Sequence, residues 1–481
     1  MISNRSRAVI ASAAAVLGLA AFGADGIRGQ FTGDDMMNLY GAWSGSFTEI
    51  LTGQRPLGAL VYRGLFMLFG LHPLPLHLVC FGLLIANLAL LYAFCARLAH
   101  SREVAVLACL LAAYHAHLAD LYWNSGMIYD LLCYFLVLLV LVLYFRIRQS
   151  GHYPGWRQNV VLVGLYLCAL GAKETAVVLP PLIALYEWIY QAQPPYSWSR
   201  IRRWLAGGAS FLYWSVPITL LFIVHRTTGG SPMTANPDYA LHFSLHAFMA
   251  GWKHYLADLF YGIRFNSLAV ILLLTLLLGL AARTRRRELL FAWCVIVVGA
   301  LPVIFINPRG LYAMYVALPG WYLYAGSLLV LTRDGALRYL PGLAQGFAVR
   351  PDQLALFVAV VALLIPLHWH RKPIGYLAVA DNDRTIRPVL EQLARQDRPL
   401  PRGAKVLFLS DPYPIDEWVL TFMFRLHYRD RNIQVIRAKV WPALAVPEVR
   451  QQYDRVYVLD DAGLREAPEG VHTGVLNHNG Y

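Results

Sequence analysis

The sequence predicts an all-α polytopic membrane protein that carries a small α/β domain at its C-terminal end. Three observations predict it. Hydrophobic residues make up 58% of the 481 and charged residues only 14%, against roughly 25% charged in an ordinary globular protein. A soluble fold could not hide that much apolar surface. Eleven stretches approach the ~20 apolar residues a bilayer crossing needs. From about residue 371 onward these runs give way to short alternating and amphipathic segments.

The same composition excludes a disordered, collagen-like or disulfide-scaffold protein. The formal charge of +13 would suggest nucleic acid in a soluble protein, but in a membrane protein its distribution is what matters, and no nucleic-acid partner is expected. All six cysteines lie in apolar stretches without C-x-x-C spacing. They read as small hydrophobic residues rather than disulfides or metal ligands.

The expected spans are 8–24, 74–98, 104–120, 129–145, 159–172, 175–191, 205–225, 265–282, 289–306, 313–331 and 354–370. The first has signal-peptide character, with Arg5 and Arg7 ahead of an Ala-rich run. It is read as an uncleaved span because the charge parity needs it in place. With a cytoplasmic N-terminus, the inner segments up to residue 370 hold seventeen Lys and Arg and the outer loops eight, as the positive-inside rule requires. An odd number of spans puts the tail outside. The only N-x-[ST] sequon, Asn4-Arg5-Ser6, then lies in the cytoplasm, which favours a bacterial inner membrane over a secretory pathway.

Residues 1–370 therefore read as the transmembrane domain and 371–481 as an extracytoplasmic α/β domain. In the latter, Asp381 is expected to cap a helix carrying Ile386, Val389, Leu390 and Leu393. Segment 415–429 reads as a helix, and 405–410, 432–437 and 455–460 read as strands.

Ionisable residues at a membrane are costly and mark function by default. Here they gather at the outer ends of the spans, in four places. Asp34-Asp35 follows span one; two adjacent carboxylates suit a general base or a divalent cation such as Mg or Mn, while Gly33-Asp34-Asp35 is equally good helix-cap chemistry. Arg55-Pro56-Leu57 leads an amphipathic stretch to Gly70, followed by His72-Pro73 and His77, and Arg55 either meets a lipid phosphate or snorkels. His115, His117 and Asp120 end span three and Asp130 opens span four; the i, i+2 histidines do not share a helix face, so polar helix contacts outweigh a metal. Lys173-Glu174 closes span five, and Arg309 with Tyr312 lies between spans nine and ten. Lys, Arg and Tyr at an outer rim can hold a phosphate, while Lys173 and Glu174 could also form a structural pair.

This order of motifs resembles the GT-C superfamily of integral-membrane glycosyltransferases, in particular its protein O-mannosyltransferase-like branch, over about residues 1–335. Asp34-Asp35 falls where that superfamily carries an acidic pair, one member of which is the base. Arg55-Pro56-Leu57 and His77 match an Arg-Pro-Leu…His stretch. His115, His117, Asp120 and Asp130 match a His-Pro-x-His-x-Glu…Asp run in which Ala116 replaces the Pro and Asp120 the Glu. Lys173-Glu174 matches a Lys-Glu pair, and Arg309 and Tyr312 an Arg-x-x-Tyr.

The resemblance implies an inverting transfer of a sugar from a polyprenyl-phosphate donor to a hydroxyl of a glycan, lipid or protein acceptor at the outer face. Asp34 or Asp35 would be the base. Lys173, Arg309, Tyr312 and Arg55 would hold the donor phosphate, with His77, His115, His117, Asp120, Asp130 and Glu174 as supporting polar residues. No cofactor is required. The rival readings are a lipid or polysaccharide transporter, which would need polar residues through the midplane, and a scaffold that binds lipid-linked sugars. Residues 34, 35, 173 and 309 are expected to line one cavity.

Overall fold

The computed structural model describes residues 4–191, 198–228, 237–337, 351–395, 399–444, 451–460 and 463–467. Arg338 and Arg350, part of the inner charge cluster, lie outside these. Each of the eleven apolar stretches contains helix. The membrane part begins with α1 (Asn4–Phe22), α2 (Ala24–Ile27), α3 (Gly33–Ser44), α4 (Phe47–Thr52), α5 (Pro56–Phe69), α6 (Pro73–Ala99) and α7 (Arg102–Ala113). It continues through α8 (Asp120–Trp123), α9 (Ile128–Gln149), α10 (Trp156–Ala172), α11 (Leu179–Tyr186), α12 (Trp198–Arg203), α13 (Ser210–Thr228) and α14 (Leu245–Leu259). It closes with α15 (Ser267–Thr284), α16 (Arg287–Ile304), α17 (Leu318–Leu337) and α18 (Pro351–Gly375).

By length and composition five described runs can cross a membrane: Pro73–Ala99, Ser125–Gln149, Ser267–Thr284, Arg287–Ile304 and Asp352–Arg395. Ile201–Gly207 with Ser210–Thr228, bent by 67°, makes a sixth. The protein is a multi-pass membrane protein, but the number eleven is not established. Two expected spans are broken. The one read at 104–120 ends as helix at Ala113, and a 3₁₀ turn, Ala116–Leu118, follows. The one read at 175–191 opens as a 3₁₀ segment, Glu174–Val178, and reaches α-helical form only at Leu179, ahead of Pro180 and Pro181.

Burial sorts the helices. The span at Ser125–Gln149 is 78% buried inside the protein and that at Ser267–Thr284 only 17%. α9 is therefore the central post, and α15 turns an almost wholly apolar surface outward, as a lipid-facing helix does. Helices approach closely where small residues permit it. A Cβ added to Gly320 of α17 would stand 2.6 Å from the Ala292 carbonyl oxygen of α16, so any larger residue there would push the pair apart.

Beyond α18 the chain builds α19 (Leu377–Thr385), α20 (Arg387–Arg395), β1 (Lys405–Ser410), α21 (Val419–His427), β2 (Gln434–Arg437), β3 (Arg455–Asp460) and β4 (Gly463–Glu466). The sheet order is β2-β1-β3-β4, with β1 parallel to both neighbours and β4 antiparallel to β3. The central strand buries Val406, Leu407 and Phe408 in succession, as a parallel strand covered on both faces must. The three expected strands and the helix are present, and β4 is additional. Asp381 is not a cap: it lies inside α19. Asp383 makes the local contacts instead, accepting from the Gln30 backbone at 3.1 Å and from Arg387 at 2.8 Å.

This C-terminal layer is docked on α3. The Phe422 ring of α21 stacks on Tyr40, centroids 5.2 Å apart, and Arg425 donates to the Tyr40 hydroxyl at 3.1 Å. At the start of α3, a Cβ on Gly33 would lie 3.1 Å from a Val419 methyl. The first turn of α3 is thus clamped between the membrane helices and the C-terminal layer.

Candidate functional site

The cap of α3 separates the two adjacent carboxylates. Thr32 precedes the helix with extended backbone, and its hydroxyl accepts from the Asp35 N–H at 3.0 Å. Asp35 Oδ2 accepts in return from the Thr32 N–H at 2.8 Å and from the Thr32 hydroxyl at 2.9 Å, a capping box. Its Oδ1 accepts from the Tyr62 hydroxyl at 2.8 Å. Asp35 is fully buried and its oxygens are taken by three donors. Asp34, about 100° round the helix, faces a cavity instead.

That cavity holds about 640 Å³ and lies between α3, α5, the start of α9 and the turns at 173 and 309. Asp34, Asn38, Arg55, Tyr129, Asp130, Lys173, Tyr239, Arg309 and Tyr312 line it, together with the 41–54 stretch, where Gly41, Ala42, Gly45, Ile50 and Gly53 alternate with Glu49 and Gln54. Residues up to 275 positions apart in sequence therefore meet, with one exception from the expected set: Asp35 does not line it. A divalent cation shared by Asp34 and Asp35 does not fit this arrangement. Among the described residues no group of three or more His, Cys, Asp and Glu is placed to hold a metal.

The charge pairs are crosswise rather than sequential. Lys173 Nζ is 2.5 Å from Asp130 Oδ1, both buried, and the Tyr312 ring lies 5.9 Å from the ammonium. Glu174 accepts from Arg55 through both oxygens, at 2.7 and 3.1 Å. Burial alone would raise the Glu174 carboxyl, but Arg55 and then Lys173 outweigh it and bring it to about 2. The structural pair Lys173–Glu174 is not formed, because Lys173 and Glu174 leave the chain in different directions where α10 gives way to extended backbone at Lys173.

Tyr239 ties the remaining cations together. Its hydroxyl accepts from Arg309 at 2.6 Å and from Arg55 at 3.5 Å, and the Arg309 guanidinium lies 4.5 Å from its ring centre. Asp34 keeps an accessible surface toward the cavity yet is set among protein atoms. That burial, then Asp35, then Glu417 from the C-terminal layer, raise its carboxyl above the ordinary aspartate value, and Arg309 works in the opposite direction.

Four expected supporting residues lie elsewhere. His77 is buried in the first turn of α6 and is not part of the lining. His115 donates through Nε2 to the Leu259 carbonyl oxygen at 3.0 Å and stacks on Tyr261, centroids 4.6 Å apart. His117 stands 3.6 Å from Asp258, which also meets His254 at 3.5 Å. Asp120 is not in the lining but packs behind it: a Cβ on Gly310 would lie 3.4 Å from its Oδ2. After the early end of α7, His115 and His117 face Leu259, Tyr261 and Asp258 rather than the cavity. Sequence reading missed Tyr62, Tyr239 and Glu417. Tyr239 sits in a long outer loop without periodic pattern, and Glu417 lies nearly 400 residues beyond the group it faces, so neither carried a local signal.

Fold and site together define a multi-pass membrane protein with a charged cavity built by its helices and turns. Its fold is similar to that of ArnT from Cupriavidus metallidurans solved bound to undecaprenyl phosphate: TM-score 0.54, 15% identity, 96% of this chain and 94% of that one covered. The apo state of the same ArnT aligns over the same shares at 15% identity with TM-score 0.48. No family model and no curated protein matches the sequence. At 15% identity the likeness establishes the fold, and it does not point to the O-mannosyltransferase branch.

Proposed function

We propose that the protein is an inverting GT-C glycosyltransferase that moves a sugar from a polyprenyl-phosphate donor to an acceptor hydroxyl at the outer face of a bacterial inner membrane. The observation that carries this is the meeting of Asp34 with Lys173, Arg309 and Tyr312 around one cavity. The ArnT structure of like fold was solved with undecaprenyl phosphate, which supports a polyprenyl lipid as the donor's carrier.

In the step, Asp34 takes the proton of the acceptor hydroxyl as its oxygen bonds to the anomeric carbon from the face opposite the phosphate. The bond from that carbon to the phosphate oxygen breaks, and the lipid phosphate leaves with the electron pair. Asp34 acts as general base. Lys173, Arg309 and the Tyr312 hydroxyl meet the charge that builds on the leaving phosphate, fixed electrostatics of the kind that usually contributes most to the rate. Asp130 and Tyr239 hold Lys173 and Arg309 in place. Arg55, committed to Glu174, braces the wall.

The test is turnover by the full-length protein in proteoliposomes supplied with a panel of polyprenyl-phosphate sugars, read as release of polyprenyl phosphate. Donor binding without release from any member would leave a lipid-linked-sugar scaffold. Lys173→Ala should weaken donor binding by roughly tenfold or more, the share of one charge-assisted phosphate contact. Unchanged donor affinity in that variant would remove Lys173 from the phosphate site.

Glu417 provides a second check. A base works in its ionised form, so the acidic limb of the pH–rate profile follows the Asp34 pKa. Asp35, Arg309 and Glu417 are the charged groups that act on Asp34. Glu417→Gln removes one that raises it, so the acidic limb should move to lower pH. A limb that stays in place, or moves up, contradicts Asp34 as the base.

A further inference from the structure

We propose that the groove between the far ends of α9 and α10 is a binding site for an anionic phospholipid of the membrane leaflet opposite the sugar-transfer cavity. Asp130 and Arg146 are both on α9, sixteen residues and therefore about 24 Å apart along its axis. Since Asp130 lines the outer cavity, Arg146 marks the other membrane face. There a second recess of about 540 Å³ opens between α9 and α10.

The chemistry of its walls selects the ligand. Leu143 and Ile147 of α9 and Val161 and Leu162 of α10 form an apolar floor, with Arg146 and Arg157 at the rim and His152 and Gln158 beside them. No carboxylate lines it. Among the described residues neither Arg146 nor Arg157 has an acidic partner. Arg157 lies over the Trp156 ring at 5.3 Å, a contact that uses the face of the guanidinium and leaves its N–H edge available. Arg148 differs: it is buried, bonded through two nitrogens to Glu187 at 2.7 and 3.1 Å, and serves the fold.

The site is built rather than loose. Arg148 also donates to the His152 carbonyl at 2.9 Å, and Asn159 to the Pro154 carbonyl at 3.0 Å, which sets the turn joining the two helices. Tyr153 and Trp156, 45% and 73% exposed, flank it. Aromatic side chains of this kind mark the headgroup level of a bilayer. Two unpaired guanidinium groups at that depth, above aliphatic side chains on two membrane helices, match one phosphodiester with its acyl chains along the floor. A soluble anion would leave the floor uncovered, and a zwitterionic lipid would bring its own cation against the arginines.

Native mass spectrometry of the full-length protein, titrated with phosphatidylglycerol and with phosphatidylcholine, tests this. Phosphatidylglycerol should be retained preferentially. Arg146→Ala with Arg157→Ala should weaken that retention roughly 30-fold, at the usual worth of a basic residue for an anionic headgroup. Arg283→Ala with Arg285→Ala removes the same charge from the same face but outside the groove and should retain the lipid. Val161→Trp keeps both arginines, fills the floor and should also lose it, which separates the site from misfolding of the double variant. Equal retention of the two lipids by the wild type, or equal loss in the two arginine pairs, overturns the proposal. Because the readout is lipid retention, its failure leaves the transfer reaction untouched.

Discussion

On the proposed reaction, Asp34→Asn is expected to slow sugar transfer by about 10²–10⁴-fold, the usual share of a general base, and to leave donor binding in place. The variant keeps the size of the side chain and its ability to hydrogen-bond. It removes the negative charge and replaces one carboxylate oxygen by an NH2, so no basic oxygen remains to take the acceptor proton. The donor phosphate would be held by Lys173, Arg309 and Tyr312, which line the same cavity from other elements. Turnover and donor binding measured on the same preparation separate the two effects. A variant that transfers at the wild-type rate with intact binding would remove Asp34 from the role of base. Asp35→Asn is no substitute for this experiment, because it breaks the reciprocal bonds with Thr32 and the bond from Tyr62 and so disturbs the helix itself.

Arg437→Ala should destabilise the C-terminal layer by about 3–5 kcal/mol, the usual cost of removing one partner of a buried ion pair. Arg437 donates to both oxygens of Asp411, at 3.0 and 2.6 Å. It also donates to the carbonyls of Tyr413, Pro414, Ile415 and Glu417, between 2.7 and 3.3 Å. One side chain thus holds the whole turn that follows the central strand. Its loss takes a donor from the Ile415 and Glu417 carbonyls and two donors from a buried carboxylate, while the Tyr413 carbonyl keeps Lys439 and the Pro414 carbonyl the Glu417 N–H. Lys439, 2.9 Å from Asp411, supplies one remaining counter-charge and places the effect toward the lower end.

Hydrogen exchange of β1 and of residues 411–418 reads this directly. Exchange as slow as in the wild type would contradict it. Transfer should fall as well, because Val419 and Glu417 at the end of this turn pack against Gly33 and act on Asp34.

The membrane character, the helical class and the C-terminal α/β layer follow from the sequence by itself, since apolar run length and residue periodicity are local properties of the chain. The strand at Lys405–Ser410 is legible for the same reason: six residues with no room for polar alternation belong at the centre of a covered sheet. The polar clusters at the outer ends of spans are legible too, because charge is expensive at a membrane wherever it falls. What the sequence could not apportion is which member of each cluster faces which partner. Asp34 and Asp35 have equal claims as neighbours in a string, and only the hydrogen bonds of Thr32 and Tyr62 turn one inward and leave the other to the cavity. Lys173 and Glu174 look like a pair until Asp130 and Arg55, 43 and 119 residues away, claim one each. His115 and His117 lie beside Asp130 in the chain yet face Leu259, Tyr261 and Asp258 rather than the cavity, because α7 ends at Ala113 and a short turn redirects them. Side-chain direction and long-range pairing are set by packing between elements, and the tertiary structure alone decided them.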